Sequence, residues 1–184
     1  MDIRVQKTEA AIKRAFMELR AQRPLEKVSV KELCRLAQIN KSTFYSHYED
    51  IYALSGAMQA EAIAFVLSTI SHQREWSMRD PGALTRAIFQ AVSANRALID
   101  GLFSAHERTR LADALEQGIK EMIYEKYPEQ RGDAETGILL SYCIQGAYHA
   151  YLNNQDVEEE SLVGAIERIS RALEPLLLEA AGVD

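Results

Sequence analysis

Residues 29–48 constrain the chain more than any other stretch. They read as two short helices, each opened by its own capping residue, with four residues between them. Ser29 is followed three residues on by Glu32 and preceded by Val28. That is a capping box, in which the hydroxyl accepts an N–H of the first turn and the glutamate reaches back. It predicts a helix over about 30–36. Asn40 is a second N-cap, predicted to open a helix over 41–48. Ala37 sits where only a small side chain fits between crossing helices. Ile39 and Phe44 can lock the pair, with Leu33 and Tyr48 below them. Such a pair cannot bury its own apolar surface. Ile12, Phe16 and Leu19 before it, and Leu54 and Met58 after it, provide the platform. The arrangement is that of a helix-turn-helix nucleic-acid reader with a connecting helix.

The rest of the chain reads as helix. Gly and Pro are scarce, nine and four in 184 residues, so long stretches run without a breaker. Ala11, Ile12, Ala15, Phe16 and Leu19 share one face of a helix over 4–22, which Pro24 ends. Glu49 and Asp50 precede a long helix over 51–72 and suit its positive end. After a connector at 76–82, helices are predicted over 83–94, 96–103, 105–127, 133–153 and 158–181. The fold class expected is all-α with about nine helices. An N-terminal helix-turn-helix domain occupies 1–50, and a C-terminal helical effector-binding and dimerisation domain occupies 51–184.

Charge is unevenly spread. The chain carries −6 overall. Residues 1–55 nevertheless hold ten Lys/Arg against seven Asp/Glu, and the remainder holds eleven against twenty. A basic end on an acidic body suits one-sided approach to DNA. Cys34 and Cys143 lie among apolar neighbours and read as reduced core residues. No apolar run is read as approaching the roughly 18 residues of a membrane span, and the N-terminus lacks a signal-peptide core. No membrane association and a cytoplasmic location are therefore expected. His72, His106 and His149 lack metal-ligand spacing. No nucleophile–base order, phosphate loop or carboxylate pair is legible, so neither enzyme chemistry nor a cofactor is expected.

The second short helix is dense in donors: Lys41, Ser42, Thr43, Tyr45, Ser46 and His47. Free N–H groups at its start favour phosphate. Its first turn and a half can reach base edges in the major groove, Lys41 with a cation and Thr43 with a methyl and a hydroxyl. Ser29, Val30, Lys41, Ser42, Thr43, Tyr45 and His47 are the candidate contacts, joined by Lys7. Arg4 and Lys7 form either a reaching arm or a solvated one.

These residues resemble the tetracycline-repressor (TetR) family of regulators. The resemblance is carried by Ala10-Ala11-Ile12 with Phe16, Val28-Ser29-Val30, 36–40 (Leu-Ala-Gln-Ile-Asn), 43–48 (Thr-Phe-Tyr-Ser-His-Tyr) and 50–54 (Asp-Ile-Tyr-Ala-Leu). It covers about residues 5–58. Gln38 departs from the turn glycine common in the family, where a left-handed backbone would cost about 1 kcal/mol. Glu49, Asp50 and Ile51 stand where a base often opens the fourth helix. Tyr48 replaces a phenylalanine and invites a polar partner. The second half is weakly similar to the dihydroxyacetone-kinase-regulator subgroup, through 93–98 and 142–152, with Tyr151 where a tryptophan is frequent.

The resemblance implies a homodimer on a double-stranded, near-palindromic operator, most simply as a ligand-responsive repressor. Trp76, Phe89, Phe103, Met122, Tyr142, Gln145, Tyr148 and His149 are candidates to line an effector pocket. Gly146, Ala150, Leu162, Ile166, Ile169 and Leu173 are candidates for a four-helix dimer seam. The same stripe could instead cap the chain's own core. Two other functions stay open. One is an activator or co-regulator working through a protein partner without an effector. The other is a helical interaction protein that has lost DNA binding.

Overall fold

The computed structural model describes residues 3–71, 77, 79–104 and 107–180. Among them ten α-helices and no strand occur: α1 (Ile3–Arg20), α2 (Val30–Ala37), α3 (Lys41–Tyr45), α4 (Ile51–Ser71), α5 (Pro81–Ala94), α6 (Arg96–Leu102), α7 (Arg108–Lys126), α8 (Ala134–Asn153), α9 (Glu159–Ala172) and α10 (Glu174–Ala180). The all-α expectation is met. Two compact units form: Met1–Ala62 with Arg96–Glu107, and Ile63–Asn95 with Arg108–Asp184. The first unit runs past residue 50 and takes in α6.

Most helix starts follow from their caps. Asn40 Oδ1 accepts Thr43 N at 2.7 Å, and Asp50 Oδ1 accepts Ala53 N at 2.7 Å. Asp80 Oδ1 accepts Ala83 N at 3.0 Å, with Pro81 at the first position of α5, where a missing N–H costs nothing. Asp133 Oδ2 accepts Thr136 N at 2.6 Å. The single helix predicted for 158–181 is two. Pro175 has no N–H to bond back to Arg171 and fits only the first turn of a helix, so α9 ends at Ala172 and α10 restarts at Glu174. This break accounts for ten helices rather than nine.

In the first unit, α1 packs on α2 and α6. Ile12, Phe16, Leu19, Leu54 and Met58 are buried, as expected of the platform, and Leu33 and Phe44 of the helix pair are fully buried with them. α4 corrects one reading of the sequence, because by length and composition it could cross a membrane. Several of its polar side chains have protein partners, although the buried Ser55 hydroxyl has none among the described residues. Buried Gln59 donates from Nε2 to Leu102 O and to Glu107 Oε1, both at 2.9 Å. Glu61 accepts from Lys13 Nζ at 2.6 Å.

The second unit is built on α5 and α9, its most extensive helix pair. Phe89, Tyr151, Leu162, Val163 and Ile166 form an apolar cluster. The Phe89 and Tyr151 rings lie 4.8 Å apart. Beside the cluster, the buried carboxylate of Glu167 is held by Arg86 and by Arg171 Nη2, the latter at 2.6 Å. Two guanidinium groups are what keep such a charge tolerable away from water. α7 and α8 are joined through Glu116, which accepts from Lys120 (2.8 Å), Ser141 (2.7 Å) and Gln145 (2.8 Å).

Burial alone would raise the Glu116 carboxyl. The bonds from Lys120, Ser141 and Gln145 outweigh it and hold the group at about 2. A depressed native value adds stability above the ordinary carboxylate range and loses it as pH falls. Unfolding in urea between pH 5 and about pH 2 should therefore show a steep loss of stability, and Glu116→Gln should flatten that slope. An unchanged slope in the variant would place the acid sensitivity elsewhere.

Candidate functional site

The outer surface of α2 and α3 is the candidate site. Ser29 is the N-cap of α2, and its hydroxyl accepts Glu32 N at 3.3 Å. The reciprocal half of the expected box runs differently. The Glu32 carboxylate accepts the Ser29 hydroxyl at 2.8 Å and Arg23 Nη1 at 3.0 Å. Those two partners hold it below its ordinary range.

Gln38 caps α2 in the left-handed region, with φ 56° and ψ 41°. The turn is thus the one a glycine would make, at a cost of about 1 kcal/mol for the side chain. The chain keeps the geometry of the turn without the residue that makes it easy.

α3 spans five residues rather than the eight predicted. Ser46, His47 and Tyr48 continue as a hydrogen-bonded turn, with His47 N and Tyr48 N both donating to Phe44 O at 2.9 and 3.0 Å. Phe44 is wholly buried, while Tyr45 is 55% exposed and Lys41 and Ser42 are exposed. Asn40 Oδ1 accepts the Ser42 and Thr43 hydroxyls at 2.7 and 2.8 Å as well as Thr43 N. Their oxygens are thereby aimed by a single side chain.

Behind this surface lies a charge relay between helices. Lys13 Nζ bridges Glu9 at 2.7 Å and Glu61 at 2.6 Å. Tyr48 sits close enough to this pair for Lys13 and Glu9 to act on its phenol. Burial pushes the Tyr48 phenol up, which keeps it a neutral donor. Lys13 is pulled down by burial, but its bonds to Glu61 and Glu9 prevail and raise it. The Lys13 bridge ties α1 to α4 here; among the described residues the structure gives the Tyr48 hydroxyl no hydrogen bond that would answer the expectation of a polar partner.

The electrostatics of the unit are finer than the linear charge count. Met1–Ala62 with Arg96–Glu107 holds eleven Lys/Arg against ten Asp/Glu. Several acids are engaged in ion pairs or caps: Glu9, Glu32, Asp50, Glu61 and Glu107. Lys31, Arg35 and Lys41 are exposed on the two short helices. Among the described residues these three form no ion pair. Lys31 and Arg35 were not singled out from the sequence. Their i, i+4 spacing on α2 was the available signal. Arg4 and Lys7 do not form an arm, because α1 already begins at Ile3. Asp50 caps α4, so the place of the expected base serves the helix itself.

The proposed effector residues scatter. Of the eight, Phe89 and Tyr148 line a cavity of about 70 Å³ in the second unit. Phe103 is buried in the first unit. Tyr142 is 69% exposed and His149 is exposed. Gln145 bonds to Glu116 and Asp113, Met122 is half-buried away from the cavity wall, and Trp76 lies outside the described residues. The wall is aliphatic instead, with Leu84, Ile88, Val92, Leu115, Ile119 and Leu140 prominent.

The dimer candidates divide too. Leu162 and Ile166 belong to the apolar cluster of their own unit, with Ala150 packed against it. A partner could not meet them without unpacking that cluster. Leu173 is half-buried at the α9–α10 break. Ile169 is 61% exposed, and a side chain added at Gly146 would meet no atom within 4 Å.

Among the described residues no three metal-ligating side chains converge. No protein-family model and no curated protein matches the chain.

Gln38→Gly should relieve the left-handed strain and raise the unfolding free energy by about 1 kcal/mol. Urea denaturation measures it; a loss of stability would mean that the Gln38 side chain contributes more than its backbone costs.

Proposed function

We propose that the chain is a DNA-binding transcriptional regulator of the TetR kind, acting as a dimer on a near-palindromic operator. One observation carries the reading. Phe44 is sunk into the unit while Lys41, Ser42 and Tyr45 stand outward from a five-residue helix behind a tight left-handed turn. A helix that short adds little stability by itself, and the outward Lys41 ammonium and Tyr45 hydroxyl are donors suited to phosphate and base edges. The motif residues that resemble the family coincide with this element. The exposed Lys31 and Arg35 on α2 suit the backbone beside the groove. In this reading Lys41 and Tyr45 make the main contacts, Thr43 and His47 flank them, and repression follows from occupying the operator.

The dimer would bring two readers to successive major grooves, about 34–36 Å apart. Exposed Ile169 and the open face at Gly146 are the parts of the expected seam free to meet a partner. Repression relieved by a small molecule is the leading form of regulation: the ligand would shift the population away from the DNA-competent state. The small cavity favours a second reading beside it, in which a protein partner rather than an effector sets activity.

Lys41→Ala and Tyr45→Ala should each weaken operator binding in a gel shift by about tenfold or more, and Lys41→Ala should lower the salt dependence by about one phosphate. Wild-type binding by both would refute the assignment of α3. Sedimentation should find a dimer at micromolar concentration and a monomer for Ile169→Glu; a monomeric wild type would contradict the dimer.

A further inference from the structure

We infer that the cavity of the second unit is a binding site for a small, uncharged, apolar molecule of about four heavy atoms, such as a short hydrocarbon, haloalkane or thioether, and not for an ion. The inference deepens the ligand-responsive form of the regulator reading, and rests on that reading only for its regulatory meaning.

The wall comes from α5, α7, α8, α9 and α10 together with Ser77, and none of its residues is charged. The Thr85, Ser170 and Tyr148 hydroxyls of the wall are already engaged, and Ser77 adds one further hydroxyl. Thr85 Oγ1 donates to Pro81 O at 2.9 Å and lies 2.8 Å from Ser170 Oγ, which in turn donates to Ile166 O at 3.1 Å. The Tyr148 hydroxyl donates to Arg108 O at 3.4 Å. The Cys143 thiol also lines the space, and burial pushes it up, so it stays neutral. A charged ligand would lose its hydration and find no counter-charge. An apolar ligand would displace little, because a cavity lined by Leu, Ile and Phe stays dry.

Size narrows the class further. The cavity measures about 70 Å³, roughly half the volume of a cavity known to hold benzene. Drug-sized molecules are excluded without large movement of the helices. Leu84, Ile88, Ile144 and Ala147 line the space and are only partly buried, so they offer a route in.

The test uses the full chain without DNA. Thermal melting is followed with 2-chloropropane and with acetate, which has the same number of heavy atoms but carries a charge. Xenon binding is followed by its chemical shift. Both are repeated with Ala147→Leu and Ile88→Phe, two independent ways of filling the space. The wild type should melt about 2 °C higher with saturating 2-chloropropane, show saturable xenon binding and ignore acetate. Whichever filled variant folds should lose both responses. Equal stabilisation by acetate, a response that survives in every folded filled variant, or no response to 2-chloropropane and xenon in the wild type would each overturn the inference. A failed DNA assay would leave these outcomes unchanged, so the two readings fail separately.

Discussion

The burial of Phe44 is the contact on which the α2–α3 pair depends. Its ring is fully enclosed, together with Leu33, Phe16, Ile12 and Leu54. A helix of five residues has too few internal hydrogen bonds to persist alone. α3 is therefore held by this one side chain, by the Asn40 cap and by the turn that follows. Truncating a core phenylalanine costs about 3–5 kcal/mol, a large fraction of the stability of a small unit. Once Phe44 points inward, helical geometry turns Lys41, Ser42 and Tyr45 outward. The chemistry of the outer surface is thus a consequence of the packing beneath it.

A second layer of constraint is polar. Lys13 joins Glu9 and Glu61. Gln59 ties α4 to the end of α6 through Leu102 O and Glu107. These contacts fix directions rather than supply bulk stability, since partly exposed ion pairs contribute little. They also pair Glu9 and Glu61 behind the two short helices, on whose surface Lys31, Arg35 and Lys41 are exposed. In the second unit Glu116 and Glu167 do comparable work between helices, each surrounded by donors.

Much of the fold was legible in the sequence, because caps and prolines are local signals. Ser29, Asn40, Asp80 and Asp133 mark helix starts by accepting backbone N–H groups within three residues. Pro24 marks a helix end. Pro175 carried the same kind of signal and was overridden by the continuous apolar stripe from Leu162 to Leu177. The length of α3 was overestimated, because a hydrogen-bonded turn over 46–48 keeps the residue pattern of a helix without its geometry. Gln38 shows the reverse case: the backbone adopts the left-handed conformation although its side chain argues against it.

The candidate sites were legible unequally for a similar reason. The proposed reader depends on neighbours in sequence, so its outward and inward residues could be sorted by spacing. The cavity depends on five helices distant in sequence, and aromatic residues proved poor guides to an aliphatic wall. Leu162 and Ile166 looked like seam residues because periodicity identifies an apolar face, not what covers it. The most direct test of the central claim is selection of DNA bound by the purified protein from a random duplex pool. The account predicts enrichment of an inverted repeat whose half-site centres lie about one helical turn apart, or a small multiple of it. Recovery of sequences no different from the starting pool at low salt would contradict it.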